Sequence, residues 1–201
     1  MKTIVINADP KENEHNAKLM KSSLEGAKSV GAETKYFDLY NLNLSGCRVC
    51  SMCKKDEEVC KCFWNDDLSP LIEEIFNSDV LLIGVPIFFS QPSSHYLALL
   101  ERLIYSLVSY KTGNKFKGKV NVGLFYTINF PLGYFEKSVL PHLKQSEDLL
   151  KMLHGDVVIS TSRKISATMR NKSSGDELKL MEEQIASDIK KAFEIGAELS
   201  S

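Results

Sequence analysis

The chain has 201 residues, 43% of them apolar and 25% charged, the size and composition of one globular domain able to bury a sheet between two helix layers. Its 25 basic and 26 acidic residues leave a formal net charge of -1, which excludes a global field that would draw nucleic acid or anionic lipid. No apolar run approaches the ~20 residues that span a bilayer, and the opening Met-Lys-Thr-Ile-Val-Ile-Asn is too short an apolar run for a signal peptide. A cytoplasmic location, with no membrane partner, is therefore expected.

Lys2 to Ala8 is a β-branched apolar run, the pattern of a strand buried on both faces. Ala17 to Val30 places Leu19, Met20, Leu24, Ala27 and Val30 at helical spacing, with Gly31 as its C-cap. Thr34 to Leu39 is predicted as a second strand. Asn41 to Asp67 is polar, carries all the cysteines and has no regular period, so it reads as a functional excursion. A helix from Ser69 through Leu71, Ile72, Ile75 and Phe76 comes next. The run Val80 to Val85, stopped by Pro86, is a third strand. After the loop Ile87 to Ser94, a helix is predicted from about His95 to Val108. Val120 to Tyr126 is a fourth strand, a helix lies within Val139 to Leu153, and Val157 to Ser160 is a short fifth strand. Arg163 to Gly175 reads as a polar loop, and Asp176 to Leu199 as the last helix.

Strand–helix alternation of this kind predicts a three-layer α/β sandwich, a five-stranded parallel sheet with helices on both faces. Right-handed crossovers leave few topologies, and the flavodoxin-like order fits, with residues 1–201 forming one domain. In such folds a ligand binds beyond the carboxyl ends of the strands, where the strand order reverses. That rule selects three loops: Asp9 to Asn16, Ile87 to Ser94 and Thr127 to Tyr134. The first enters a helix N-terminus, which favours an anion, and offers Lys11, Asn13, His15 and Asn16 as donors; Asn16 as a plain N-cap is the alternative. The second sets Phe88 and Phe89 beside Ser90, Ser93 and Ser94, suited to a planar ring or to packing under the next helix. No glycine-rich dinucleotide fingerprint and no phosphate-binding Walker sequence is present.

At these loops the chain resembles the NADPH-dependent FMN reductase family, including its iron–sulfur flavoprotein branch. The family's Asn-Gly-Ser-Pro-Arg…Asn-Thr stands here as Asn7-Ala8-Asp9-Pro10-Lys11…His15-Asn16. Its clustered cysteines and Asp pair appear as Cys47, Cys50 and Cys53, then Cys62 and Asp66-Asp67. Its Gly-Ser-Pro-Ile/Val-Tyr-Phe appears as Gly84-Val85-Pro86-Ile87-Phe88-Phe89, followed by a helix with Arg102 near its middle; Tyr126-Thr127-Ile128-Asn129 matches a fourth-strand end of some relatives. The resemblance implies that Asp9, Lys11, His15 and Asn16 hold the FMN phosphate. It implies that Pro86, Ile87, Phe88, Phe89 and Ser90 hold the isoalloxazine, with Thr127, Asn129 and Gly133 flanking it. It further implies reduction by NADH or NADPH, transfer to a quinone, flavin or protein acceptor, no catalytic side chain beyond the flavin, and assembly as a homodimer or homotetramer. The helix bearing Tyr96, Leu99, Leu103 and Leu107 is the candidate interface, and core packing explains the same stripe. Asp9 replaces a serine and Glu14 a glycine; at an effective dielectric near 20, a like charge ~4 Å from a phosphate costs about 4 kcal/mol.

Cys47, Cys50, Cys53, Cys60 and Cys62 crowd one segment, which favours a metal or redox role over a disulfide framework. Cys47-x2-Cys50-x2-Cys53 with a fourth cysteine farther on resembles the compact 4Fe–4S motif of the iron–sulfur flavoproteins. Register with Asp66-Asp67 selects Cys62 as the fourth ligand, and distance from Cys53 selects Cys60. Tetrahedral zinc and free redox-active thiols are the other readings. Trp64 anchors the segment or covers a flavin, and Arg102 pairs with an acid. Arg163, Lys164 and Arg170 are available to an NADPH phosphate or stand in a solvated loop. Beside the oxidoreductase stand two alternatives, a non-catalytic electron carrier or redox- or metal-responsive protein, and a fold relative that has lost FMN.

Overall fold

The computed structural model describes the backbone of residues 1–201 and all side chains except those of Ala167, Thr168 and Lys172. Five parallel strands form the central sheet: β1 (Lys2–Asn7), β2 (Glu33–Asp38), β3 (Val80–Phe88), β4 (Val120–Ile128) and β5 (His154–Arg163). They lie in the order β2-β1-β3-β4-β5. The longer helices are α1 (His15–Ser29), α2 (Leu68–Phe76), α3 (Ser94–Leu107), α4 (Leu140–Leu150), α5 (Ala167–Lys172) and α6 (Gly175–Leu199), and a helical turn at Leu132–Tyr134 followed by a π-helix at Phe135–Val139 leads into α4.

The pleat sorts each strand onto two faces. Ile4 and Ile6, Leu81 and Ile83, and Leu124 and Tyr126 meet Ile72, Tyr96, Leu99, Leu103 and Leu143 of α2, α3 and α4. Val5, Leu82 and Phe125 meet Leu19 and Met20 of α1 and Ala192, Ile195 and Leu199 of α6. Continuous burial of β3 and β4 explains why they read as unbroken apolar runs. Tyr96, Leu99, Leu103 and Leu107 are all buried in this core, so the stripe offered as an interface packs within the chain instead.

Two glycines let α1 and α6 cross closely. A Cβ on Gly26 would sit 2.0 Å from the Phe193 carbonyl oxygen, and one on Gly196 would sit 2.1 Å from that of Ser23.

Several boundaries differ from the pattern-based expectation. Helix α1 begins at His15, so His15 and Asn16 belong to its first turn rather than to the loop. Strand β5 runs to Arg163 because Ser160 and Ser162 face inward and Ser162 is hydrogen-bonded; apolar pattern alone stops at Ser160. The polar stretch after it contains α5, capped by Ser166, whose hydroxyl accepts from the Met169 N–H at 3.2 Å. A capping box between Ser174 and Glu177 starts α6. The cysteine excursion holds only short 3₁₀ turns at Leu39–Asn41 and Met52–Lys54. The second ligand loop is a hairpin: Ile87 pairs with Pro92 and Phe88 with Gln91 in antiparallel register.

Candidate functional site

The three loops meet at the carboxyl edge of β1, β3 and β4. Asn7, the last residue of β1, organises them: its Nδ2 donates to Asp38 Oδ1 at 2.7 Å, and its Oδ1 accepts from Asn16 Nδ2 at 2.6 Å and from the Asp9 N–H at 3.2 Å. Thr127 Oγ1 donates to Asn16 Oδ1 at 3.3 Å, joining the end of β4 to α1. Ser93 Oγ donates to the Ala8 carbonyl at 2.8 Å, joining the hairpin to the first loop. Gly84 makes room for this network, since a Cβ there would lie 2.6 Å from Asn16 Nδ2. Asn16 is thus an internal tie and not an N-cap.

The residue at the N-cap of α1 is Glu14; it makes no side-chain capping bond, and the first turn carries no acidic side chain. The leading N–H groups are left for an outside acceptor. Beside them lies a cavity of about 340 Å³ lined by Asn13, Glu14, His15, Lys18, Lys164, Arg170 and Glu182. His15 is buried; its Nε2 lies 2.7 Å from Ser162 Oγ, which donates to Asp188 Oδ2 at 2.5 Å. Burial lowers the His15 pKa, against the raising charge of Asp188. Asp9 is also buried, and its Oδ1 accepts the Lys11 N–H at 2.9 Å. Burial raises the Asp9 pKa, while that N–H and the Lys164 charge pull it down. Lys11 is exposed and pairs with Glu14 at 3.3 Å.

Pro86 and Ile87 are buried in β3, Phe88 is half-buried, and Phe89 is 100% exposed. Phe89 therefore does not pack under the following helix. Phe89 and Ser90 have φ of 50° and 64°, the left-handed values of a two-residue hairpin turn. Thr127 is buried, whereas Asn129 and Gly133 are exposed at the rim. The structure joins Asp9, Asn16 and Thr127 in one network and sets Phe89, Asn129 and Gly133 around it without direct bonds. Pattern reading gave Asn7 no role although it opens the first-loop motif, and missed Ser162 and Asp188, which no local signal marks; Lys164 stood only as a nucleotide-phosphate option.

On the α2–α3 side, Cys47, Cys50, Cys53 and Cys62 line one cavity with Trp64, Arg102 and Tyr105. Cys60 opens instead on a cleft with Lys115 and Phe116. Buried Lys115 clamps the segment by donating to the carbonyls of Cys53 at 2.5 Å and Asp56 at 2.8 Å. Lys54 donates to the Tyr105 and Val108 carbonyls and lies 4.0 Å from the Tyr105 ring centre. Asp66 forms a buried bidentate pair with Arg102, at 2.5 and 2.9 Å, and accepts the Leu68 and Ser69 N–H groups at the head of α2. Burial opposes the Asp66 charge, but Arg102 and those N–H groups outweigh it and hold its carboxyl below the usual range. The exposed Trp64 carries the Arg48 guanidinium 4.4 Å above its ring. All five cysteines are free. Among the described residues no three His, Cys, Asp or Glu side chains converge as a single metal ion requires. No helix among them is long and apolar enough to cross a membrane.

The strand order, and the convergence of loops at the reversal between β1 and β3, define a flavodoxin-like α/β protein. The structure superposes on the NAD(P)H:quinone oxidoreductase from Methanothermobacter marburgensis with a TM-score of 0.74 at 14% identity, covering 99% of this chain and 98% of that one. It superposes on an FMN-dependent NADH-azoreductase from Bacillus anthracis, solved with FMN, with a TM-score of 0.71 at 13% identity over 100% of both chains. The sequence profile of the family described as NADPH-dependent FMN reductase matches residues 1–152, and the chain belongs to that family. An iron–sulfur flavoprotein of Methanocaldococcus jannaschii is 28% identical over 123 residues, 61% of this chain and 62% of that protein. One of Methanosarcina thermophila is 24% identical over 124 residues, 61% and 63% respectively, so the chain spans under two thirds of the length of these relatives.

Proposed function

We propose that this chain is an NAD(P)H-dependent FMN oxidoreductase, one domain that passes electrons to a quinone, a flavin or a protein acceptor. The observation that carries the reading is the uncapped head of α1, opening on a cavity where Lys18 and Lys164 stand beside the Arg170–Glu182 pair and the Lys11-paired Glu14. That donor chemistry fits a phosphate. In this reading the helix N–H groups, Asn13, His15 and Lys164 hold the phosphate, and Asn7, Asn16, Thr127 and Ser93 fix the loops around the ring. The hairpin at Pro86 to Ser90 offers backbone groups to the ring's polar edge, with Phe89 covering it from water. Bound FMN supplies hydride acceptance from a nicotinamide and release of electrons to the acceptor.

We read Cys47, Cys50, Cys53 and Cys62 as the ligands of a 4Fe–4S centre, with Cys60 outside it. Four thiols on one cavity, too dispersed for one ion, suit a cluster better than zinc. The free space between them is about 20 Å³, so loading requires the exposed Cys50 turn to move outward. Val49 and Ser51 hold left-handed φ of 50° and 56° in that turn. A cytoplasmic location belongs to the same reading, because a reducing compartment keeps five cysteines free. So does a homodimer or homotetramer, supported by an apolar surface groove of about 420 Å³ lined by Leu97, Ile104 and Leu149.

Anaerobic purification followed by a visible spectrum tests the assignment. A flavin band, bleached by NADPH and restored by a quinone, is expected. Iron and sulfide should survive Cys60→Ser and be lost in Cys62→Ser. The carboxyl of Asp9, buried in the first loop, favours one second reading, a relative that has given up FMN. A preparation that stays colourless after soaking with FMN would establish it.

A further inference from the structure

The guanidinium of Arg102, 2% exposed, comes from the middle of α3 and is committed on one edge. Nη1 donates to Asp66 Oδ2 at 2.5 Å and to the Ser45 carbonyl at 3.1 Å. Nη2 donates to Asp66 Oδ1 at 2.9 Å and to Ser69 Oγ at 2.7 Å. A fork held by that many partners has no freedom to turn. Its remaining donor, Nε–H, is buried and makes no hydrogen bond. Buried guanidinium donors are ordinarily satisfied, so this one marks a place where an acceptor is missing. Arg102 lines the cavity shared by Cys47, Cys50, Cys53 and Cys62. Of the four sulfurs on that cavity, the one within interaction range of the guanidinium is that of Cys62.

We propose that Arg102 is a positioning residue for the redox centre of this cavity, its Nε–H aimed by the Asp66 fork to donate a hydrogen bond to the Cys62 sulfur. The inference rests on reading the cavity as a cluster site. When Cys62 is a thiolate ligand, the orphan donor finds its acceptor. A hydrogen bond and a fixed positive charge at that sulfur favour the reduced form of the centre and raise its potential. Cys60, on its separate cleft, has no share in the contact.

Two measurements on the full chain test this. In protein expressed without added iron, the Arg102 Nε–H resonance is identified in a 1H–15N spectrum by its loss in Arg102→Lys. Cys62→Ala should shift it, because the donor loses the sulfur beside it, and Cys60→Ala should leave it in place; an unmoved resonance in Cys62→Ala overturns the proposal. In protein reconstituted with iron and sulfide, Arg102→Lys keeps the charge but lacks this donor. Its midpoint potential should fall at unchanged iron and sulfide content, and an unchanged midpoint overturns the tuning role. A wild-type chain that takes up no iron and sulfide removes the cluster reading, and the resonance then decides the contact alone.

Discussion

Asp9 is the residue whose charge works against the proposed cofactor. Its carboxyl is turned back onto the Lys11 N–H, which reduces the repulsion felt by a phosphate below the unshielded figure of about 4 kcal/mol. Asp9→Ser should tighten FMN about tenfold at alkaline pH, read by quenching of flavin fluorescence. Burial raises the Asp9 pKa, so the carboxyl stays protonated to higher pH, and the advantage of serine should shrink as pH falls. Equal affinities in alkaline buffer would show that Asp9 does not reach the phosphate. Glu147 poses a related problem in the core. It is buried, with the buried hydroxyls of Tyr96 and Tyr126 facing it. Burial raises its pKa, partly offset by the Tyr126 hydroxyl. An acid raised in the folded state contributes stability that is fully present below its unfolded pKa and is lost as pH rises through the folded one. Glu147→Gln should therefore stabilise the protein by about 1 kcal/mol in urea at neutral pH, and the gain should vanish near the pH where the free acid titrates.

Among the elements, the hairpin after β3 stores backbone strain. Phe89 and Ser90 occupy left-handed positions that Asn-Gly fills at lower cost. Replacing the pair by Phe89→Asn and Ser90→Gly should stabilise the chain by about 1 kcal/mol in thermal melts. Flavin should dissociate faster from the same variant if Phe89 covers the ring, and an unchanged rate would remove that role. The hairpin also shows why sequence reading goes only so far. The aromatic pair at a strand end is visible as composition, but Phe89-Ser90 lacks the Asn-Gly signature, so the turn itself is silent. Strands β3 and β4 are legible because both faces are apolar. Strand β5 is legible only to Ser160, because its inward Ser162 finds its partners, His15 and Asp188, in remote segments. The cysteines announce themselves by spacing, whereas separating Cys62 from Cys60 takes the fold that puts Arg102 beside one of them.

At the scale of the whole molecule, the family profile ends at residue 152, yet β5 and α6 complete the sheet and its second helix layer. The α1–α6 crossing depends on bare backbone at Gly26 and Gly196. Gly196→Ala should destabilise the chain by about 1–3 kcal/mol in urea, since its methyl would be driven into the Ser23 carbonyl. Gly175→Ala, where a methyl meets nothing within 4 Å, should change stability little. The same helix reaches the proposed phosphate cavity through Asp188. Because the Ser162 hydroxyl donates to that carboxylate, its oxygen accepts the Nε2–H of His15, which leaves a lone pair on Nδ1. That nitrogen can donate to a phosphate only after gaining a proton. Capture of a phosphate through His15 would therefore take up one proton from solution, a demand set by a carboxylate near the far end of the chain.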